Sequence, residues 1–253
     1  MGLLDDRVVL VSGGTQGVGA GVARAAVREG ATVAITGRRR EIGEKAAADI
    51  GAFFVAADVA DVAQAQASVA AVIAEFGRVD ALVNSAGLTD RGTLIDTTPE
   101  LFDRHIAINL RGPFFLMQSV VRDMLGRSAT GSIVNIISSS ELGGQPFLAP
   151  YVAAKAGLAG LTRNVAHAHR FDRIRINGLD IGWTETEGED ATQRTFHDAD
   201  DTWLAQAAAK VPMGKLGQVD EIADFVAFLL SDRSGVVTGS VIDWDQNVLG
   251  GLD

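Results

Sequence analysis

A phenol and an ammonium stand four residues apart in Tyr151-Val152-Ala153-Ala154-Lys155, and the hydroxyl of Ser138 lies thirteen positions ahead of the tyrosine. If Tyr151 opens a helix, Lys155 sits one turn along on the same face. A cation held there favours the phenolate and lowers a pKa that starts at about 10 towards working pH. A phenol tuned in this way can protonate a carbonyl oxygen or, in reverse, deprotonate an alcohol. Ser138 closes an apolar run and can hold the same oxygen, with Ser139 and Ser140 as neighbouring substitutes. Tyr151 is the only tyrosine in the chain. Standing alone, the pair would be no more than two residues sharing a helix face.

A second feature makes it more. Ser12-Gly13-Gly14-Thr15-Gln16-Gly17-Val18-Gly19 follows the first apolar run and opens an Ala-rich stretch. Glycines let a backbone bend sharply and approach a pyrophosphate, while a helix start supplies free N–H donors and a positive dipole end. No Gly-Lys-Ser/Thr follows, so this is not a P-loop, and the spacing differs from the ordinary G-x-G-x-x-G turn. At the end of the second apolar run stands Thr36-Gly37-Arg38-Arg39-Arg40. An NAD site usually places an acid here, whereas an arginine accommodates a 2′-phosphate. Arg38 is therefore expected to grip that phosphate, which favours NADP(H) and leaves NAD(H) as the alternative. A solvated basic cluster is the plainer reading.

The elements that must position these groups read as βα units. Apolar runs at Arg7–Val11, Thr32–Thr36, Ala52–Ala56, Ala81–Asn84, Ser132–Ser138, Arg173–Leu179 and Ser240–Asp243 are candidate strands. Helices are expected near Gly17–Arg28, Arg40–Ile50, Val62–Phe76, Glu100–Leu125, Tyr151–Ala168 and Asp220–Leu230. Runs as continuous as Ile133-Val134-Asn135-Ile136-Ile137 suit a parallel sheet buried on both faces. No Pro- or Ser-rich linker interrupts the 253 residues, so one domain, 1–253, is expected. An acidic segment from Glu185 to Asp201 reads as a solvated loop with helical pieces, or as part of a lid over approximately 185–214. Trp183 and Trp203 flank it, either to pack on substrate or to anchor the lid, and His197 lies within it.

Composition excludes several classes. Cysteine is absent, so no disulfide, thiolate zinc site or cysteine nucleophile is possible. The net charge of −10 argues against nucleic acid and anionic membranes as partners. No apolar run approaches the roughly 18 residues of a membrane span, and the acidic start does not read as a signal peptide, so a cytoplasmic protein is expected. His167 and His169, two apart, point to different helix faces, and no metal is expected.

Together these residues resemble the short-chain dehydrogenases/reductases from about Arg7 to Asp245. Ser12-Gly13-x-x-x-Gly17-x-Gly19 resembles the family's Thr-Gly-x-x-x-Gly-x-Gly, and Asn84-Ser85-Ala86-Gly87 its Asn-Asn-Ala-Gly. The resemblance implies a doubly wound (Rossmann) α/β fold with a seven-stranded parallel sheet in the order 3-2-1-4-5-6-7. It implies nicotinamide hydride transfer, with Ser138, Tyr151 and Lys155 as catalytic residues and Asn109 holding a proton-relay water. Lys155 would also bond the nicotinamide ribose. Cofactor contacts would come from Ser12, Gly13, Gln16, Gly17, Val18, Gly19, Asn84, Ala86 and Gly87. Asp58 would meet adenine, with Val59 beside it. Gly182, Thr184 and Thr186 would line the nicotinamide end. Dimers would form through the helices of Leu101–Leu125 and Tyr151–Ala168, and tetramers are common in the family.

Two departures stand out: Ile181 replaces the proline of Asn-x-x-x-Pro-Gly, and Trp244-Asp245-Gln246-Asn247 replaces a terminal Asp-Gly-Gly. The expected activity is interconversion of a secondary alcohol and a ketone. Acidic lid residues and Asp180 lean towards a sugar or polyol, with a 3-oxoacyl thioester reductase as the alternative. From other classes, a non-catalytic redox sensor would lack Ser, Tyr or Lys, and a methyltransferase would leave Tyr151 and Lys155 idle.

Overall fold

The computed structural model describes residues 2–248; the expected domain of 1–253 extends at both ends outside the described residues. In chain order it forms β1 (Val8–Ser12), α1 (Gly17–Arg28), β2 (Thr32–Gly37), α2 (Arg40–Ile50), β3 (Phe53–Ala56), α3 (Val62–Phe76) and β4 (Ala81–Asn84). Then come α4 (Pro99–Ile106), α5 (Gly112–Gly126), β5 (Gly131–Ile136), α6 (Ala149–His169) and β6 (Ile174–Ile181). The last section holds β7 (Thr184–Glu185), α7 (Glu187–His197), α8 (Trp203–Ala208), β8 (Gly217–Gln218), α9 (Val219–Leu230) and β9 (Val241–Trp244).

Seven strands form one parallel sheet in the order β3-β2-β1-β4-β5-β6-β9, the arrangement the resemblance implies. Every residue of β1, β4 and β5 is buried. Side chains alternate between faces along a strand. Val9 and Val11 accordingly pack with α1 and α9, while Val8 and Leu10 pack with α3 and α5. The two apolar layers account for the unbroken hydrophobic runs, because neither face of a central strand meets water.

Two helix starts are capped by side-chain oxygens. Asp61 accepts from Ala63 N and Gln64 N at the head of α3, and Thr98 accepts from Leu101 N ahead of Pro99 in α4. The single helix expected over Glu100–Leu125 is instead α4, a π-helical turn over Ala107–Arg111, and α5. Pro113 supplies the reason: it has no N–H for the carbonyl four residues back, that of Asn109, and its ring would collide there. The wider turn absorbs the misfit and leaves a non-standard backbone at Asn109. Helix α6 begins two residues before Tyr151, with Pro150 in its first turn.

A short parallel pairing of β7 with β8 closes the neck of the segment that carries α7 and α8. No helix among the described residues is long and apolar enough to cross a membrane.

Candidate active site

The carboxyl ends of β1, β4, β5 and β6 converge, and the glycine turn sits among them. Gly13 has a φ of 75°, and a Cβ built on it would stand 2.6 Å from the backbone N and Cα of Ala86. A Cβ on Gly19 would stand 2.2 Å from the carbonyl oxygen of Gly13. The turn is thus packed backbone against backbone, and only hydrogen fits. Gln16 gives the start of α1 no side-chain cap and no acid lies in its first turn, so its N–H groups are left for an anion.

Two buried oxygens beside this turn, Ser12 Oγ and Asn84 Oδ1, have no hydrogen-bond partner among the described residues. Asn84 is held by Nδ2, which donates to Asn135 Oδ1 at 2.8 Å, and Asn135 donates in turn to Thr162 Oγ1 at 2.9 Å. A glycine cradle, an uncapped helix start and orphaned buried oxygens fit a dinucleotide. Ala86 backs the turn, and Gly87 after it faces Asn109 Oδ1, 3.6 Å from a built Cβ. Arg38 is exposed at the end of β2, while its neighbour Arg39 donates to the Gln16 side chain. Asp58 is half-buried and accepts from Ala60 N at 3.0 Å; Val59 packs against the start of α5 at Gly112. Thr184 Oγ1 donates to Gly182 O at 2.9 Å, and Thr186 caps α7 through Glu189 N at 3.0 Å. Gly17 faces Thr186 across the cleft, with 3.9 Å from a built Cβ to its methyl carbon. Val18 lines the same space.

The structure brings Ser138, Tyr151 and Lys155 together. Ser138 leads a 3₁₀ turn just past β5, and its hydroxyl faces the Tyr151 phenol. Lys155 is buried and donates to Ile136 O at 2.7 Å, with its Nζ 5.6 Å from the centre of the Tyr151 ring. The expected lowering of the tyrosine pKa is not what the chain alone provides. Burial pushes the phenol up to about 12, against the pull of Ser138, and Asp180 and Glu189 add to the rise. Burial also pushes the Lys155 ammonium down to about 8. Desolvation outweighs the single charge because both groups sit out of water and the ammonium bonds to a carbonyl rather than to the phenol. As Tyr151 is the chain's only tyrosine, its phenolate band reports it without interference. That band should rise near pH 12 rather than the ordinary 10, with circular dichroism recorded alongside to show the fold intact. A midpoint at or below the ordinary value would mean the phenol is solvated or already paired.

Asn109, completely buried in the π-helical turn, is committed to structure by its side chain. Its Oδ1 accepts from Leu88 N at 2.9 Å, and Nδ2 donates to Leu88 O at 3.0 Å and meets His105 Nδ1 at 3.2 Å. This pins the β4–α4 loop beside Tyr151, whose ring lies edge-on to His105 at 6.1 Å. The side-chain amide is thus spent on the loop and on His105.

A cavity of about 860 Å³ opens over Tyr151 and Ser138, walled by α7 and by the segment Lys210–Met213 that follows α8. Trp203 anchors the lid, donating to Asp190 Oδ1 at 2.7 Å, whereas Trp183 lines the cavity and donates to Glu189 Oε1 at 2.7 Å. Most lid charges are spent locally: Arg194 bridges Asp190 and Asp201, and Asp200 holds Thr202. His197 belongs to the wall, where its Nε2 meets an arginine that sequence reasoning passed over. Arg91, half-buried, lies 5.3 Å from the Phe147 ring centre and 5.7 Å from that of Phe196, and contacts His197 at 3.2 Å. Glu189, Gln145 and Gln193 were equally invisible as wall residues. The available signal was position, since Arg91 follows β4 by a few residues at the sheet edge where open α/β folds build sites. The replaced tail also finds a place: Gln246 accepts from Met213 N at 2.7 Å and donates to Lys215 O at 2.6 Å, tying the lid's exit to the sheet.

A dinucleotide cradle opening onto a Ser–Tyr–Lys cluster defines an oxidoreductase of the doubly wound class. Comparison with known proteins gives the family. Residues 13–247 match a family model described as Enoyl-(Acyl carrier protein) reductase. The chain is 32% identical to a sorbitol dehydrogenase of Cereibacter sphaeroides, covering 96% of this chain and 97% of that protein. A 3-oxoacyl-acyl-carrier-protein reductase of Chlamydia muridarum is also 32% identical, with 96% and 97% covered. Among solved structures, a variant of actinorhodin polyketide ketoreductase with NADPH superposes with a TM-score of 0.91 at 31% identity, covering 97% of this chain and 98% of the other. The chain belongs to the short-chain dehydrogenase/reductase family, enzymes that act on CH–OH groups with NAD(P)(H). The dehydrogenase and ketoreductase relatives support an enzyme acting on CH–OH groups rather than a methyltransferase.

Proposed function

We propose that the enzyme interconverts a secondary alcohol and a ketone on a sugar or polyol, with NADP(H) preferred over NAD(H). The lining of the cavity carries this reading. Glu189, Gln145, Gln193, His197, Asp243 and Asp245 offer many partners for hydroxyl groups, and Trp183 offers a flat face for a sugar ring. The wall's four acids, Glu189, Glu221, Asp243 and Asp245, against three bases, Arg91, Lys210 and Lys215, give it no net positive charge to draw an anionic carrier. The similarity to a sorbitol dehydrogenase supports it. The 3-oxoacyl alternative is favoured by the similarity to such a reductase and by the apolar surface of Phe147, Val211 and Met213 in the same wall.

Ser12, Gly13, Gln16, Gly17, Val18, Gly19, Asp58, Val59, Asn84, Ala86, Gly87, Lys155, Gly182, Thr184 and Thr186 would hold the coenzyme, and Arg38 its 2′-phosphate. Bound there, a nicotinamide coenzyme supplies the hydride donor or acceptor. Tyr151 passes a proton to or from the substrate oxygen, Ser138 orients that oxygen, and Lys155 holds positive charge beneath the phenol. Asn109 holds the loop that borders them, and the lid over approximately 185–214 excludes water. Exposed Phe102 and Phe114 on α4 and α5 support association of these helices into a dimer or tetramer.

The test is turnover on a panel of sugars, polyols, simple secondary alcohols and 3-oxoacyl thioesters, with each coenzyme in turn. Polyol turnover is expected, with thioesters inert; the reverse order overturns the substrate assignment. In the same assay, Arg38→Ala should weaken NADPH by about 10- to 100-fold and leave NADH nearly unchanged, as loss of a charge-assisted phosphate contact requires. Equal weakening of both would remove Arg38 from the phosphate site.

A further inference from the structure

Asp180 is 1% exposed, and no hydrogen bond among the described residues reaches its carboxyl group; its Oδ1 is a buried orphan. Such an acid next to a catalytic cluster demands an account. Its direction follows from the strand. A Cβ on Gly178 would meet Ile137 and Val241, which pack with Leu158 and Ala159 of α6. Asp180, two residues on, points to that same side, whereas Leu179 packs with α1 and α9. Lys155 occupies the α6 side as well: it donates to Ile136 O, and Ile136 is the register partner of Leu179. The carboxyl and the ammonium therefore lie on the same, α6 side of the sheet, and each shifts the other's titration.

We propose that Asp180 is a positioning residue for the Tyr151–Lys155 pair, a buried carboxylate that keeps the Lys155 ammonium charged and the proton on Tyr151. A buried ammonium with one neutral acceptor bears a large desolvation cost, and a facing carboxylate offsets it. Asp180 raises the proton affinity of Lys155 against burial, and it raises that of Tyr151 in the same way. Its own pKa stands at about 7, because burial and the charges of Glu141, Asp243 and Asp245 oppose ionisation more than Lys155 favours it. Asp243 is its register partner on β9, and Asp245 follows on the same strand end. The support is accordingly present above the ionisation of Asp180 and withdrawn as pH falls through it. It biases the cluster towards its proton-donating form, the form that ketone reduction uses.

The inference rests on the dehydrogenase reading, and one measurement tests it without turnover. The chain has four lysines, Lys45, Lys155, Lys210 and Lys215, so isotope labelling of lysine gives few signals. Lys45→Arg, Lys210→Arg and Lys215→Arg identify that of Lys155 by elimination. In the unaltered enzyme the Lys155 signal should move in two steps, the lower one following Asp180. In Asp180→Asn it should move once, at lower pH, as loss of a neighbouring opposite charge requires. In ketone reduction the same variant should lose about tenfold in kcat at little change in KM, and its alkaline limb should shift to lower pH. An identical Lys155 titration in both proteins overturns the proposal. If Asp180→Asn does not fold, a single-step titration in the unaltered enzyme overturns it instead. Absence of turnover on every alcohol would fell the dehydrogenase reading, while the lysine titration would still judge Asp180.

Discussion

Tyr151→Phe should lower kcat for ketone reduction by about a thousandfold, within the range that general acid–base catalysis contributes. The substitution removes one oxygen from a buried ring whose packing, edge-on to His105 and below the 3₁₀ turn of Ser138, does not depend on it. Stability should therefore change little. Burying a hydroxyl has a desolvation cost, and Ser138 is the neighbour that answers it. Reduced-coenzyme fluorescence should show binding retained, since the glycine turn, Ser12 and Asn84 are untouched. Loss of turnover with binding intact would place the proton transfer on the phenol. Retention of more than about a tenth of the activity would be too much for a lost general acid. It would move that role to another group, and Ser138 is the nearest.

The sheet was legible because its strands are buried on both faces, so Val8-Val9-Leu10-Val11 and its counterparts announce themselves as unbroken apolar runs. The glycine turn and the Tyr151–Lys155 spacing were legible because local geometry alone relates those residues. What distance in sequence separates was not. Arg91, Phe147 and His197 meet only because the β4–α4 loop, the entry to α6 and the lid close on one another. The direction of the tyrosine shift failed for a related reason. Spacing shows that Lys155 is near the phenol, but burial decides which effect prevails, and burial belongs to the assembled fold. The π-helical turn was half-legible: Pro113 forbids an ordinary helix at that point, yet the amphipathic pattern runs through it undisturbed.

Gly13→Ala carries the second large effect, and its size can be divided. At a φ of 75° an alanine bears left-handed strain of about 1–2 kcal/mol. Its methyl would also stand 2.6 Å from the main chain of Ala86, and forcing atoms into a packed interior costs about 1–3 kcal/mol more. The obstructing atoms are mainly backbone just past the end of β4, so relief must push the glycine turn away from Ala86. Thermal unfolding should fall by about 5–15 °C for a chain of this size. Gly51→Ala separates the two contributions, because Gly51 has a φ of 82° with no heavy atom within 4 Å of a built Cβ. It should show the strain alone and leave coenzyme binding untouched. Gly13→Ala should lose more stability than this control and weaken both NADPH and NADH by tens of fold, since the turn displaced is the one both pyrophosphates would need. Equal destabilisation of the two variants would mean that Ala86 yields without resistance. Unchanged coenzyme affinity would mean that the pyrophosphate does not rest on this turn, and the assignment of the cradle would fall with it.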